Sequence, residues 1–383
     1  MMTEKYQPLG KYIEQCNERN VDNVYGAEVL RGVNNEGNIF PSKANIIGVE
    51  FNTYRIAHKG YFIYNPARLD IGSLSCLQDD TAIFSQMYVV FKVKEEYNDI
   101  LLTDYLWMWL KRKEFYRYVG FINFGSVREM FTYEDMCNVL LPIPPISEQR
   151  RIVSEYQTVE RRIANNERLI KKLEETAQAI YHHTFVEGID ENNLPEGWRK
   201  GTIGDLGEVI GGATPSTEIP EYWVDNGISW LSPADMPRGV MYVDTTAKHI
   251  TTEAYNSAST KMLPIGTVLF SSRAPIGLTA IAGIELCTNQ GYKSVVPRED
   301  IGSYFVYYLL MREKDKIAGQ QEGSTFAEIS GKELSAYNVI IPPICKIEKF
   351  SKSVDTIAKY RHNLERETHH LRTLLSLSTS RIS

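Results

Sequence analysis

Two stretches of the chain place apolar residues at strictly alternating spacings of four and three. The first runs Ile152, Tyr156, Val159, Ile163, Asn166, Ile170, Leu173, Ala177, Ile180, Thr184. The second runs Phe350, Val354, Ile357, Arg361, Leu364, Thr368, Leu371, Leu375, Ser378, Ile382. A single helix packed on one domain is the simpler alternative, but a 4-3 alternation held over about five heptads favours the seam of a coiled coil. The spacing predicts helices over 147–187 and 345–383, each roughly 50–55 Å long at 1.5 Å per residue. Asn166, Arg361 and Thr368 interrupt the seam, which weakens packing and helps fix register. Pro144-Pro145 stops the preceding segment, Ser147 has the chemistry of an N-cap, and Glu148 suits the helix dipole in the first turn. The second helix is expected to start less well, because Cys345 is a poor cap and Lys346 opposes the dipole.

The helices are part of a longer repeat. Ile143-Pro144-Pro145-Ile146 recurs 198 positions later as Ile341-Pro342-Pro343-Ile344. A turn-rich Leu194-Pro195-Glu196-Gly197-Trp198 opens the second globular unit, and the two units then run in parallel. Leu9-Gly10-Lys11-Tyr12 matches Ile203-Gly204-Asp205-Leu206. Lys59-Gly60 before Tyr61–Tyr64 matches Ile265-Gly266 before Thr267–Phe270, a glycine turn feeding a strand. Arg68–Gly72 matches Arg273–Gly277. Ser85–Tyr88 matches Asn289–Tyr292, each ahead of another strand. An aromatic helix follows in each copy, Tyr105–Leu110 and Tyr304–Leu309, then Phe124-Gly125-Ser126 or Glu322-Gly323-Ser324. The expected fold is therefore α+β with an internal pseudo-two-fold repeat. Its segments are a globular unit at 1–146, a helix at 147–187, a second unit at 188–344 and a second helix at 345–383.

Composition narrows the class. A hydrophobic fraction of 43% supports real cores, and no apolar run approaches the roughly 18 residues a membrane span needs. Five scattered cysteines without a Cys-x-x-Cys pair read as reduced thiols in a cytoplasmic protein, with no metal site. The histidine pairs His182-His183 and His369-His370 lack metal-ligand spacing and are expected in solvent. There is no P-loop and no Asn/Asp-Pro-Pro-aromatic tetrad; Asn65-Pro66-Ala67-Arg68 lacks the second proline and the aromatic. The chain is expected not to be an enzyme on its own. With a net charge of −6, any nucleic-acid footprint must be a local patch.

The carrying motifs are Leu141-Pro142-Ile143-Pro144-Pro145-Ile146-Ser147-Glu148-Gln149-Arg150-Arg151-Ile152, Leu194-Pro195-Glu196-Gly197-Trp198, Gly211-Gly212-Ala213-Thr214-Pro215-Ser216 and Thr288-Asn289-Gln290-Gly291-Tyr292. Together with the layout, they make the chain resemble the specificity subunit of type I restriction–modification systems. The resemblance implies two target recognition domains, each reading one half of a bipartite double-stranded DNA sequence, and two helices forming an antiparallel coiled coil as spacer. It also implies docking of two modification subunits that carry S-adenosylmethionine, and of restriction subunits that use ATP and Mg. The sequence departs from the family pattern in two places. The second helix start reads Cys345-Lys346-Ile347-Glu348 where the family favours Glu-Gln, and the first unit lacks a clear Gly-Gly-x-Thr-Pro-Ser segment. Two other readings compete: a coiled-coil protein–protein adaptor with twin domains, and the specificity subunit of a related combined restriction–modification system.

Phosphate positioning and base-edge reading both call for cations and amides on exposed loops. Arg31 to Arg68 holds Arg31, Lys43, Arg55, Lys59 and Arg68 against Glu36 and Glu50, and Arg238 to Arg273 holds Arg238, Lys248, Lys261 and Arg273 against Asp244 and Glu253. A basic excess at matching places in two acidic units nominates Lys43, Arg55, Lys59, Arg68, Arg238, Lys248 and Arg273 as DNA contacts. Arg68 and Arg273 lead because they align, with a structural tether in the turn as their rival role. Asn289 and Gln290 are candidates for adenine edges, a turn role beside Gly291 being the competing assignment. The aromatic helices are assigned to core.

Overall fold

The same hydrogen-bonded frame is built twice. The computed structural model describes residues 6–42, 48–124, 130–319 and 328–380. Lys43 and the Gly125-Ser126 and Gly323-Ser324 matches lie outside them. Its helices are α1 (Thr103–Leu110), α2 (Lys113–Phe124), α3 (Tyr133–Asn138), α4 (Ile146–Phe185), α5 (Thr252–Ser257), α6 (Ser303–Gly319), α7 (Gly331–Ala336) and α8 (Ile344–Ser380). The chain divides into two compact units, one of residues 1–163 with 370–383 and one of residues 164–369, so the division falls inside α4 and α8.

In the first unit, the strand Tyr6–Pro8 pairs antiparallel with Leu140–Pro142. A four-stranded sheet runs in the order Ile13–Gln15, Val89–Val93, Phe62–Tyr64, Leu74–Cys76. In the second unit, Arg199–Thr202 pairs antiparallel with Asn338–Ile341. The sheet order there is Gly207–Gly211, Lys293–Pro297, Val268–Phe270, Thr279–Ala282, with Tyr242–Val243 added at the edge. Phe62 faces Phe91 as Val268 faces Val295. Single bonds repeat as well: Lys94 N to Tyr12 O and Arg298 N to Leu206 O are both 2.9 Å. Gly72 and Gly277 have φ of 104° and 99°, a region that disfavours any side chain, so the aligned glycines mark the same turn. Capping boxes Thr132/Asp135 and Ser330/Glu333 start the matching helices α3 and α7.

The aromatic helices are core, as expected. Tyr105, Leu106, Met108, Trp109 and Leu110 of α1 are buried with Phe62 and Phe91, whose rings stack at 4.9 Å. In the second unit, Phe305 and Tyr308 of α6 meet Tyr181 and Phe185 of α4 and Phe350 of α8 in one aromatic cluster.

The long helices span 40 and 37 residues, roughly 60 and 55 Å. Every seam position whose side chain is described is buried or half-buried; Ser378 and Ile382 lie outside that set. Within residues 164–369 the helices run antiparallel, since Tyr181 meets Phe350 while Glu174 pairs with Arg361. In the other unit Ile152, Tyr156 and Val159 of α4 line a groove of about 750 Å³ with Leu374, Leu375 and Leu377 of α8. Arg361 is 4% exposed, and its charge is met by Glu174 and by Glu365 at 2.7 Å. Burial raises the Glu365 pKa, against the opposing pull of Arg361 and of the Met241 N–H. Asn166 and Thr368 are also buried, and neither the Asn166 Nδ2 nor the Thr368 hydroxyl has a hydrogen-bond partner among the described residues.

The expected cap is corrected. The helix begins at Ile146, so Ser147 is already inside it, and the Pro145 carbonyl accepts from Glu148 N at 2.8 Å and Gln149 N at 3.1 Å. The anchoring residue is Gln149, which is fully buried. Its amide donates to Ile100 O at 2.7 Å and Pro144 O at 2.8 Å, and its side-chain oxygen accepts from Leu102 N at 3.0 Å. In the second copy the Pro343 carbonyl plays the same part toward Lys346 N and Ile347 N, and the buried Ile347 stands where Gln149 would. Lys346 opposes the dipole but lies over the Trp198 ring at 5.3 Å, a compensating contact.

Two stability predictions follow from these seams. Gln149→Leu keeps the volume but strands a buried N–H and two carbonyls, so denaturant unfolding is expected to show a loss of roughly 2–4 kcal/mol. A change within about 0.5 kcal/mol would contradict the anchoring role. Thr368→Val removes an unpartnered buried hydroxyl at constant shape and is expected to stabilise by about 1 kcal/mol; a lowered melting temperature would show that the hydroxyl is satisfied.

Candidate nucleic-acid interface

In the second unit two of the sequence motifs are bound to each other. Ala213 N donates to Thr288 O at 2.9 Å, and the Thr214 hydroxyl donates to the Gln290 side-chain oxygen. A Cβ on Gly212 would lie 2.2 Å from the carbonyl oxygens of Thr288 and Asn289, so the Gly-Gly pair permits an approach no side chain allows. The Trp230 indole N–H donates to Ala213 O at 3.1 Å, and Lys248 lies 5.8 Å from the Trp230 ring centre while pairing with Asp235 at 3.3 Å.

A third loop joins them after the strand Val268–Phe270. Ser272 N donates to Gly291 O at 2.7 Å, and Ile329 N donates to Ser272 O at 3.1 Å. Arg273, half-buried, pairs with Glu328 at 3.4 Å; Lys293 donates to Gln290 O at 2.8 Å and pairs with the same carboxylate at 3.6 Å. Arg273, Asn289 and Gln290 are therefore brought together at the meeting of three loops, with Lys248 linked through Trp230. Asn289 has the turn role, its side-chain oxygen accepting from Gly291 N at 2.9 Å. Gln290 is exposed and is held by Thr214.

Arg238 is exposed on a separate loop gripped by α8. The Glu365 carboxylate accepts from Met241 N at 3.1 Å, Arg361 reaches Gly239 O at 3.4 Å, His362 meets Asp244 at 2.6 Å, and the His362 ring stacks on Tyr242 at 4.4 Å.

The first unit lacks a Gly-Gly segment, and residues 17–20 serve otherwise. Asn17 accepts from Arg55 at 2.6 Å, Glu18 O accepts from Ile56 N at 3.0 Å, and the Glu18 carboxylate faces His58 at 3.2 Å. Arg55, the first residue of the strand Arg55–His58, is thus partly buried; burial, and then Arg19, lowers its pKa. Arg31 is spent on the Glu28 and Leu30 carbonyls. Lys59, in the turn before the strand Phe62–Tyr64, and Arg68, in the 65–73 loop, are exposed. Around that loop stand the exposed apolar side chains Ile71, Met87 and Met130.

Reading charge along the sequence missed Lys293, Ser272, Glu328 and Thr214. Thr214 lies within a quoted motif and Lys293 adjoins one, whereas Glu328 is brought in from 55 residues beyond Arg273 and has no local signal. Among the described residues no helix is long and apolar enough to cross a membrane, and no group of three or more His, Cys, Asp or Glu is placed to hold a metal ion.

Comparison with known proteins fits this doubled frame. The profile of the type I restriction modification DNA specificity domain matches residues 10–175 and 195–371. The MjaIX type I restriction enzyme specificity subunit of Methanocaldococcus jannaschii is 37% identical over 156 residues, 40% of this chain and 36% of that one. A type I restriction enzyme specificity subunit of Escherichia coli is 30% identical over 160 residues, 40% of this chain and 39% of that one. The chain thus aligns with well under half the length of these two relatives. The crystal structure of a type I restriction–modification system S subunit from M. genitalium shares the fold with a TM-score of 0.63 at 14% identity, covering 98% of this chain and 95% of that one. Two matched domains that together take in most of the residues place this chain in the type I restriction modification DNA specificity family.

Proposed function

We propose that this chain is the sequence-specific DNA-recognition subunit of a type I restriction–modification complex, in which each globular unit reads one half of a bipartite target. One observation carries the reading: a chain of this family holds one frame in two copies, repeated down to single main-chain bonds, while the loops on that frame differ in chemistry. Phosphate contacts set position and unlike loops set sequence, so two such units suit a split, asymmetric target. The DNA contacts proposed are Lys59 and Arg68 in the first unit and Arg238, Lys248, Arg273 and Gln290 in the second. Arg55 and Asn289 act by holding loops, and Lys43 remains a candidate from sequence alone. Lys248 and Arg273 would exchange carboxylate partners for phosphate.

Methyl transfer and any DNA cleavage are assigned to partners: modification subunits with S-adenosylmethionine, and restriction subunits with ATP and Mg. This chain supplies the address and the docking surface, as a non-catalytic subunit of a cytoplasmic complex. The long helices serve as the ruler between half-sites.

Deleting the chain is expected to remove genomic methylation at one bipartite motif, read by methylome sequencing; an unchanged methylome would sink the proposal. Exchanging residues 1–146 for the matching unit of another specificity subunit should alter one half-site and leave the other. Adding one heptad to both helices lengthens each by about 10 Å. The recognised spacer should then widen by about three base pairs at 3.4 Å each, and an unmoved spacer would refute the ruler.

A further inference from the structure

We propose that Glu328 is an internal stand-in for a DNA phosphate, occupying an anion cradle made by Arg273, Lys293 and Ser272. Its carboxylate pairs with Arg273 at 3.4 Å and with Lys293 at 3.6 Å, and it accepts from the Ser272 hydroxyl at 3.4 Å. Those donors come from a loop, Ser272 and Arg273, and from the first residue of the strand Lys293–Pro297, and both places adjoin the motifs that meet at Gln290. Two cations and a hydroxyl converging on one anion are the donor set that binds a phosphodiester. The contacts are long for charge-assisted bonds, and the Arg273 and Glu328 side chains are 39% and 36% exposed, so a stronger anion from solvent can compete for the cradle. Lys293 is better covered, at 15%, and Ser272 is fully buried.

The other copy supplies the comparison. Phe131 N donates to Pro66 O at 3.0 Å just as Ile329 N donates to Ser272 O at 3.1 Å, which puts Met130 in the place of Glu328. Val89 holds the strand position of Lys293, and Arg68 stands exposed near that loop with no carboxylate supplied by residue 130. Among the described residues the device therefore belongs to the second unit alone. It offsets one of the cradle's two positive charges until phosphate displaces the carboxylate, which weakens binding to DNA in general and reserves full engagement for a duplex that fits the neighbouring loops.

The inference rests on the DNA-recognition reading, and one experiment separates the two. The full chain and its Glu328→Gln variant are titrated with a mixed-sequence duplex across a salt series, with thermal melting as the check on folding. Glu328→Gln is expected to bind more tightly at low salt. Its plot of log affinity against log salt should be steeper by about 0.9 for each phosphate newly engaged. For one phosphate, the advantage over wild type then shrinks about 3.5-fold over a fourfold rise in salt. Adding Lys293→Gln to that variant should return the slope toward wild type. An unchanged slope, or weaker binding by a folded Glu328→Gln, overturns the stand-in role and makes the residue a strut. Duplex binding by wild type that is absent or indifferent to salt overturns the DNA reading and the cradle with it. Should Glu328→Gln not fold, Met130→Glu, at a 39% exposed position, gives the reciprocal test. A carboxylate introduced there should weaken binding and flatten the slope, and unaltered binding counts against the proposal.

Discussion

A helix of 40 residues with one apolar stripe draws most of its stability in a protein from what packs on that stripe, so the architecture depends on what covers it. Within residues 164–369 the covering is shared. Tyr181 and Phe185 of α4 lie against Phe350 of α8 and against Phe305 of α6 in a single aromatic cluster. The residues that pair the helices are thus also the residues that close the globular core, and neither part can be lost without the other. In the first unit Val153 joins the α1 core while Gln149 bonds the chain just before that helix. Each globular part claims the nearer portion of both helices, which is why the division falls at Ile163 and Ala164 rather than at the Pro-Pro boundaries.

Periodicity made the helices legible, because a stripe that must be buried over ten turns leaves the same mark at every turn. The strands and aromatic helices were legible for a related reason: two copies of one frame show which positions the frame requires. Helix starts were harder to read. Ser147 has the right chemistry for a cap, yet the start is held by Gln149 through groups on Ile100 and Leu102, far away in sequence. The second copy discards that polar lock for a buried Ile347, so the motif's Gln is one of two solutions to a single packing problem. At the candidate interface, local charge counting found Arg273 but not the carboxylate that meets it, since a tertiary ion pair leaves no periodic trace.

The charged layer in the helix seam is a different kind of constraint. Burying Arg361 with Glu174 and Glu365 gains little stability over an apolar replacement, because desolvation offsets most of the attraction. It does specify geometry. Arg361 and Glu365 also bind Gly239 O and Met241 N, and His362 binds Asp244, so one stretch of α8 is keyed both to α4 and to the segment that carries Arg238. A one-residue slip of the helix would break all of these bonds together, whereas an apolar seam would tolerate it at lower cost.

The two copies keep the frame and exchange the chemistry displayed on it. Around the 65–73 loop the first unit shows Ile71, Met87 and Met130 beside Arg68, while the matching place in the second shows Thr214, Gln290, Lys293 and Arg273. Base edges are read through both apolar contact, as with the thymine methyl, and directed hydrogen bonds. Under the DNA-recognition reading, the first unit is the one suited to apolar contact and the second to polar edges. The frame can stay constant because its bonds are made by the main chain and its core by inward side chains, leaving the loop side chains free to differ without cost to the fold.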